Sequence, residues 1–307
     1  MKSLRRLFAL APAFIVLNCT NSTITPPLFD GDRAFGLLKA QVDLGPRVPG
    51  TPASAAARSL YRTHFESAGL EVDSQKVSFI DPYSGDTIPL VNLIACQNPT
   101  DQDRILIAAH YDCRPRSERA HDTTKRALPI DGANDGASGV AVLMELANLF
   151  KAQAPSAGVD LVLFDGEDWG MAGELDYYSL GSKAFVRSPL KGTYRFGIVL
   201  DMIGDKDQQI FREKYSEQFA KHINDLVWSV AAKFQVSVFK DSAKHSVIDD
   251  HLPLNVVGIP AVDLIDFDYP FWHTEMDTPD KCSAESLANV GRVVAYIAYN
   301  KHIWPKK

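Results

Sequence analysis

Four short apolar runs constrain this chain more than any other feature. They are RILIAA (Arg104–Ala109), DLVLF (Asp160–Phe164), FGIVL (Phe196–Leu200) and IPAVDLI (Ile259–Ile265). Near-continuous Ile/Val/Leu runs of this length read as strands buried on both faces. Helical periodicity lies between them. Asp135–Phe150 brings Val140, Leu143, Met144, Ala147 and Phe150 to one side, Phe219–Phe234 turns Ile223, Leu226, Val227 and Val230 inward, and Ser283–Tyr299 closes the chain as a helix. Upstream, Asp30–Leu44 and Ser54–Ala68 read as helices, the second with Ser54 as N-cap and Gly69 as its stop. GPRVPGTP (Gly45–Pro52) is a loop, and Glu71–Phe79 and Leu90–Ala95 are strand candidates. Strands alternating with helices predict an α/β fold with a mostly parallel, mixed central sheet flanked by helices on both faces. No linker divides the 307 residues, so we expect one domain. The formal charge of −6, without a long basic run, argues against nucleic acid as a partner.

Each central run ends in acids or imidazoles. RILIAA leads to His110 and Asp112, DLVLF to Asp165, Glu167 and Asp168, FGIVL to Asp201, and the run at Ile265 to His273. GANDGASG (Gly132–Gly139) adds Asp135 at a helix start. Singly, these residues have ordinary alternatives: Asp135 as a helix cap, Asp201 in a surface turn, Asp165–Asp168 as a solvated acidic loop, His110 and His273 as structural histidines, Asp249–Asp250 opening a helix. Those alternatives do not predict convergence. Parallel strands deliver their carboxyl ends to one edge, where ligands of such sheets bind. Carboxylates crowded there repel one another unless a cation sits among them, and zinc accepts a mixed Asp/Glu/His set.

The first residues differ from the rest. Lys2, Arg5 and Arg6 precede an apolar run from Leu7 to Leu17, too short to span a bilayer but suited to an export signal. We therefore expect residues 1–25 to be such a signal and 26–307 the catalytic domain. Cys19 follows the run and is a candidate lipid-attachment site of the bacterial type, which would make the protein a periplasmic or membrane-anchored lipoprotein. The alternative is a plain cleaved signal with Cys19 incidental. Cys96, Cys113 and Cys282 remain, forming no C-x-x-C pair and allowing at most one disulfide.

HYD (His110–Asp112), GANDGASG, DGED (Asp165–Asp168), LDMIGD (Leu200–Asp205) and WHT (Trp272–Thr274) resemble the co-catalytic zinc aminopeptidases and their relatives, the zinc-dependent glutaminyl cyclases of animal type. The resemblance covers nearly all of the chain after the signal. It implies two schemes. An aminopeptidase would hold two zinc ions on His110, Asp135, Asp168, Asp201 and His273, with Asp135 bridging and Glu167 as general base. A cyclase would hold one zinc on Asp135, Asp168 and His273. IDDHLPL (Ile248–Leu254), Trp272 before the metal histidine, and SLGSKAF (Ser179–Phe185) are similar to the cyclase pattern. The chain departs from it where Asp168 replaces a Glu and Gly173 a substrate-lining Trp, and Cys113 lacks the animal enzymes' disulfide partner.

The cyclase resemblance implies conversion of an N-terminal glutamine of peptides or proteins to pyroglutamate, with release of ammonia. Glu167 is then the general acid and base, with Asp201 and Asp249 a hydrogen-bonded acidic pair beside it. Trp272, Tyr269 and Trp169, with Phe271 nearby, are expected to wall the substrate pocket.

Overall fold

All four apolar runs are strands in the computed structural model, which describes residues 23–188 and 193–306. Of the expected signal over residues 1–25, residues 1–22, with Cys19, lie outside the described residues. In chain order the elements are α1 (Gly31–Val42), α2 (Pro52–Ser67), β1 (Glu71–Ile80), β2 (Thr87–Gln97), β3 (Asp103–His110), α3 (Ala137–Ala152), β4 (Gly158–Phe164), α4 (Leu180–Arg187), β5 (Thr193–Asp201), β6 (Ile210–Arg212), α5 (Lys214–Lys233), β7 (Phe239–Ala243), α6 (His251–Val256), β8 (Ala261–Ile265) and α7 (Ala284–Tyr299). Short 3-10 turns link some of them.

The main sheet has the order β1-β2-β4-β3-β5-β8. Strands β4, β3, β5 and β8 run parallel, while β2 pairs antiparallel with both β1 and β4. The sheet is therefore mixed, with its parallel part on the chemistry-bearing strands. Alternation along β3 shows how both faces are covered. Ile105, Ile107 and Ala109 enter a large core with Leu38 of α1, Phe65 of α2, Leu143 of α3, Val227 of α5 and Val294 of α7. Leu106 and Ala108 enter a smaller one with Phe185 of α4 and Leu254 of α6. Period-two side-chain direction thus forces a run that is apolar at every position.

Helix ends follow local chemistry. Asp30 caps α1 by accepting the Arg33 N–H at 2.9 Å, and Ser283 caps α7 by accepting that of Ser286 at 3.1 Å. The cap of α2 is Thr51, with Pro52 in its first turn, and Ser54 donates its N–H to Thr51 Oγ1 instead of capping. Gly69 ends α2 with φ +87°. Asp135 is not the cap of α3. Gly136 takes that position at φ +99°, leaving the Asp135 carboxylate outside the helix. Three residues on, a Cβ at Gly139 would lie 2.3 Å from the Leu200 carbonyl oxygen, so only glycine lets α3 seat against the end of β5.

All three remaining cysteines are buried free thiols. Burial pushes both Cys96 and Cys113 up to about 12, which keeps them protonated and inert.

Candidate active site

The carboxyl edge of the parallel strands gathers the expected residues. His110 is the last residue of β3 and Asp201 the last of β5, Glu167 and Asp168 follow β4 after Gly166, and His273 lies within the loop after β8. Two of these turns need left-handed backbone at non-glycine residues, Met202 (φ +46°) and His273 itself (φ +57°). Such conformations persist where surrounding contacts over-determine them, and they cluster at functional sites.

Asp135 is central. Its Oδ1 lies 3.3 Å from His110 Nε2, which is also 3.1 Å from Asp201 Oδ1. Its Oδ2 lies 3.8 Å from His273 Nε2, which is 3.2 Å from Asp168 Oδ1. Two sets of potential ligands result, His110/Asp135/Asp201 and Asp135/Asp168/His273, each with ligand atoms within 4.8 Å of one another. Asp168 Oδ2 is buried without a hydrogen-bond partner. A buried carboxylate oxygen left unpaired beside a second carboxylate and an imidazole fits a divalent cation of the zinc type. A third set, Asp249/His251/Asp263, lies wholly buried where α6 packs on β8.

A second tier of groups orients the first. Asp112 accepts the backbone N–H of Glu167 and of Asp168, both at 3.1 Å, and sits 3.5 Å from His110 Nδ1. Asp277 accepts the N–H of Asn134 (2.9 Å) and Asp135 (3.1 Å) and the Tyr269 hydroxyl (2.7 Å). Arg114, fully buried, donates to Asp168 Oδ1 at 2.5 Å and grips Glu118 through Nε at 2.8 and 2.7 Å. Glu118 in turn lies 3.4 Å from His273 Nδ1. Asp168, Arg114, Glu118 and His273 thus form a closed ring of alternating charge, the carboxylate–histidine support typical of metal ligands. Arg47, from the GPRVPGTP loop, is also fully buried and donates to the carbonyls of Tyr111, Asp131 and Gly132, pinning the loop that carries Asp135.

Electrostatics divides the acids. Burial pushes Asp135 up to about 7, helped by the Asp168 charge. Burial acts the same way on Asp168, but His273 and Arg114 overcome it and hold that carboxyl well below its usual range. Glu167 is held well above the ordinary carboxyl range by burial, then by Asp249 and Asp168. Asp249 rises to about 6 through burial and the Asp201 charge. His273 rises to about 9 because Asp168 and Glu118 outweigh its burial. Paired acids with divergent protonation, facing one cavity, mark a site for proton transfer.

That cavity measures about 270 Å³. Asp135, Glu167, Asp168, Asp201, Asp249 and His273 supply its polar surface, and Met202, Val247, Phe267, Trp272, Leu175 and Tyr178 its apolar walls. Trp272 packs against His273 (ring centroids 4.2 Å apart) and Phe267 (5.2 Å), with the Arg119 guanidinium 3.9 Å over its ring.

Peptidase family M28 matches residues 92–298, which include every candidate ligand. The chain belongs to that family. A similar solved structure is that of a glutaminyl cyclase of Bacteroides thetaiotaomicron with N-acetylhistamine bound. It is 36% identical with a TM-score of 0.86, over 90% of this chain and 99% of that one. A leucine aminopeptidase precursor of the same organism, strain VPI-5482, is likewise 36% identical, with a TM-score of 0.87 over the same shares. The glutaminyl-peptide cyclotransferase of Bothrops jararaca is 24% identical over 83% of this chain and 78% of its own length. The names of these similar proteins therefore divide between cyclase and peptidase.

Of the expected wall residues, Trp272 lines the cavity and two sit elsewhere. Trp169 turns toward β1, where its Nε1 donates to Asp81 at 2.8 Å and its ring meets Phe79. Tyr269 is only 1% exposed and supports Asp277. Leu175, two residues past Gly173, and Tyr178 supply the wall on that side. Asp201 is hydrogen-bonded to His110 and Asp249 Oδ1 accepts the Asp250 N–H, while the Asp201 charge raises Asp249, so the two expected acids stand near each other at this cavity. Asp165 leaves the site: its carboxylate accepts the Val91 N–H at 2.8 Å and ties β2 to the end of β4. Sequence reasoning missed Arg114, Glu118 and Asp277. A charged residue four positions from an opposite charge, as in Arg114 and Glu118, was their one visible signal.

Proposed function

We propose that this protein is a glutaminyl-peptide cyclotransferase acting on exported peptides or proteins with N-terminal glutamine. The observation that carries the reading is the small, acid-floored cavity walled by Trp272 and Phe267, which suits one glutamine side chain folded back on its own amine. The likeness to solved bacterial cyclases over 90% of the chain supports it.

Asp135, Asp168 and His273 would hold one zinc ion, which would supply Lewis acidity at the side-chain carbonyl. The chain's own residues do the rest. Glu167, in the cavity floor, takes a proton from the attacking α-amine and returns one to the side-chain nitrogen. The new C–N bond closes the five-membered ring, the old one breaks, and ammonia leaves. A carboxyl raised by burial is closer in proton affinity to the amine it serves, and such a group contributes about 10²–10⁴-fold. Ser179 Oγ, 3.4 Å from Glu167 Oε1, steadies that carboxylate. The cavity walls hold amine against amide carbon, and intramolecular attack held in this way is strongly favoured.

One observation favours a second reading. His110, Asp135 and Asp201 form a further ligand set sharing Asp135, the arrangement a dizinc aminopeptidase needs. The two are separated by mass spectrometry after incubation with zinc-loaded protein. A Gln-initiated peptide should lose the mass of ammonia and keep its length, while a Leu-initiated peptide stays intact. Release of free leucine or glutamine would hand the site to the peptidase reading.

A further inference from the structure

A second hollow of about 450 Å³ adjoins the reaction cavity. Ile248 and Asp249 line both. The hollow extends between α4, which contributes Val186, Lys183 and Arg187, and α6 with its following turn, which contributes Leu252, Val256 and Val257. Its surface contrasts with the acid-floored cavity. Val256 is 85% exposed, Val257 47% and Ile248 38%. Isolated exposed aliphatics need no explanation, but a contiguous group at the mouth of a reaction cavity does. The rim is basic. Lys183 Nζ donates to the carbonyls of Leu175, Asp176 and Tyr178, fixing a positive charge beside both hollows.

We propose that this hollow is a subsite for the second and third residues of the substrate peptide. It favours bulky apolar side chains there and disfavours Lys and Arg. The inference rests on the cyclotransferase reading. In that reaction the glutamine side chain and α-amine both turn toward the acids, so the chain that follows must leave through the cavity mouth. Each further residue reaches about 3.3–3.6 Å along an extended chain, which carries the second and third side chains into an adjoining hollow. Occupancy covers Ile248, Leu252, Val256 and Val257, and a cationic side chain would meet Lys183 and Arg187.

The test compares kcat/KM for glutaminamide and for the amidated peptides Gln-Leu-Phe, Gln-Ser-Ser and Gln-Lys-Lys. It uses the zinc-loaded wild type and the double variant Val256→Asp/Val257→Asp. In the wild type, Gln-Leu-Phe should exceed Gln-Ser-Ser by about ten-fold, mainly through KM, with Gln-Lys-Lys poorest. The double variant should erase the apolar preference and raise Gln-Lys-Lys, leaving glutaminamide within about two-fold. Equal peptide preferences in both proteins, with glutaminamide still cyclised, would overturn the subsite alone. No turnover of glutaminamide by either protein would overturn the cyclotransferase reading and the subsite with it.

Discussion

At the scale of single residues, Glu167 and Arg114 make opposite demands on the same small volume. In the proposed reaction Glu167 must keep a proton mobile, and its burial near Asp249 and Asp168 raises its proton affinity. Glu167→Gln keeps shape and polarity but removes the proton acceptor. We expect that variant to retain zinc, measured by inductively coupled plasma mass spectrometry, and to lose about 10²–10⁴-fold in kcat. Full activity would remove Glu167 from its role. Arg114 must keep Asp168 charged. It sits between Asp168 and Glu118 with no exposure, so its loss leaves those two carboxylates sharing His273 as their one remaining cation in the ring, a cost of up to about 3–5 kcal/mol. A bound divalent cation would take over part of that charge. Arg114→Met should therefore lose much more stability in chelator than in zinc, read from denaturant midpoints in each. Arg114→Lys, which keeps the charge but not the two-pronged grip, should fall between. Equal losses with and without zinc would make Arg114 a plain structural residue.

At the scale of elements, the long apolar strands and helices were legible because period-two and period-3.6 burial is written in the residue types. The four runs correspond to β3, β4, β5 and β8, and the convergence at their carboxyl ends follows from parallel topology. What escaped was short or built through space. β6 has three residues, β7 five and α6 six, too few for a period to register. Trp169 was expected in the pocket wall because Gly173 stands where the animal cyclases have a substrate-lining Trp. The excursion that closes where Asp168 bridges to Tyr178 instead turns it toward Phe79 and Asp81. The Asp266 carboxylate, in the turn after β8, was equally invisible. It accepts the N–H of Gln209 at 2.8 Å and of Asp268 at 3.2 Å, and burial pushes it up to about 7. Its unfolded value is near 3.9. Below both values the group is protonated in either state and costs nothing. As pH rises from about 4 to 7 the unfolded carboxyl ionises first, so the fold loses up to about 4 kcal/mol, and above about 7 the loss is constant. Asp266→Asn cannot ionise. The stability difference between wild type and this variant should shift toward the variant as pH rises from 4 to 7.5, measured by guanidinium unfolding in chelator. A difference that stays flat with pH would show that Asp266 ionises alike in both states.

At the scale of the whole molecule, the net charge of −6 understates the local imbalance. Asp135, Asp168, Asp201, Glu167 and Asp249 surround one cavity, with His110, His273, Arg114 and Lys183 among the cationic groups near them. The fold must hold these acids together, so it gains from any cation that enters. Free zinc at a hundred times its dissociation constant adds about 2.7 kcal/mol to folding free energy. For a chain of this size that raises the melting temperature by roughly 4–5 °C. Chelation should reverse the rise, and Asp135→Asn, which weakens both ligand sets at once, should abolish most of it. The endpoint of the titration then decides between the two chemistries. If Arg114 and Glu118 build up only the Asp168–His273 half, and the His110–Asp201 hydrogen bond occupies the other, the stabilisation should saturate at one zinc per chain. His110→Ala should leave that endpoint unchanged. Saturation at two, falling to one in the His110 variant, would mean that both halves take a metal and that hydrolysis, not cyclisation, is the chemistry this edge supports.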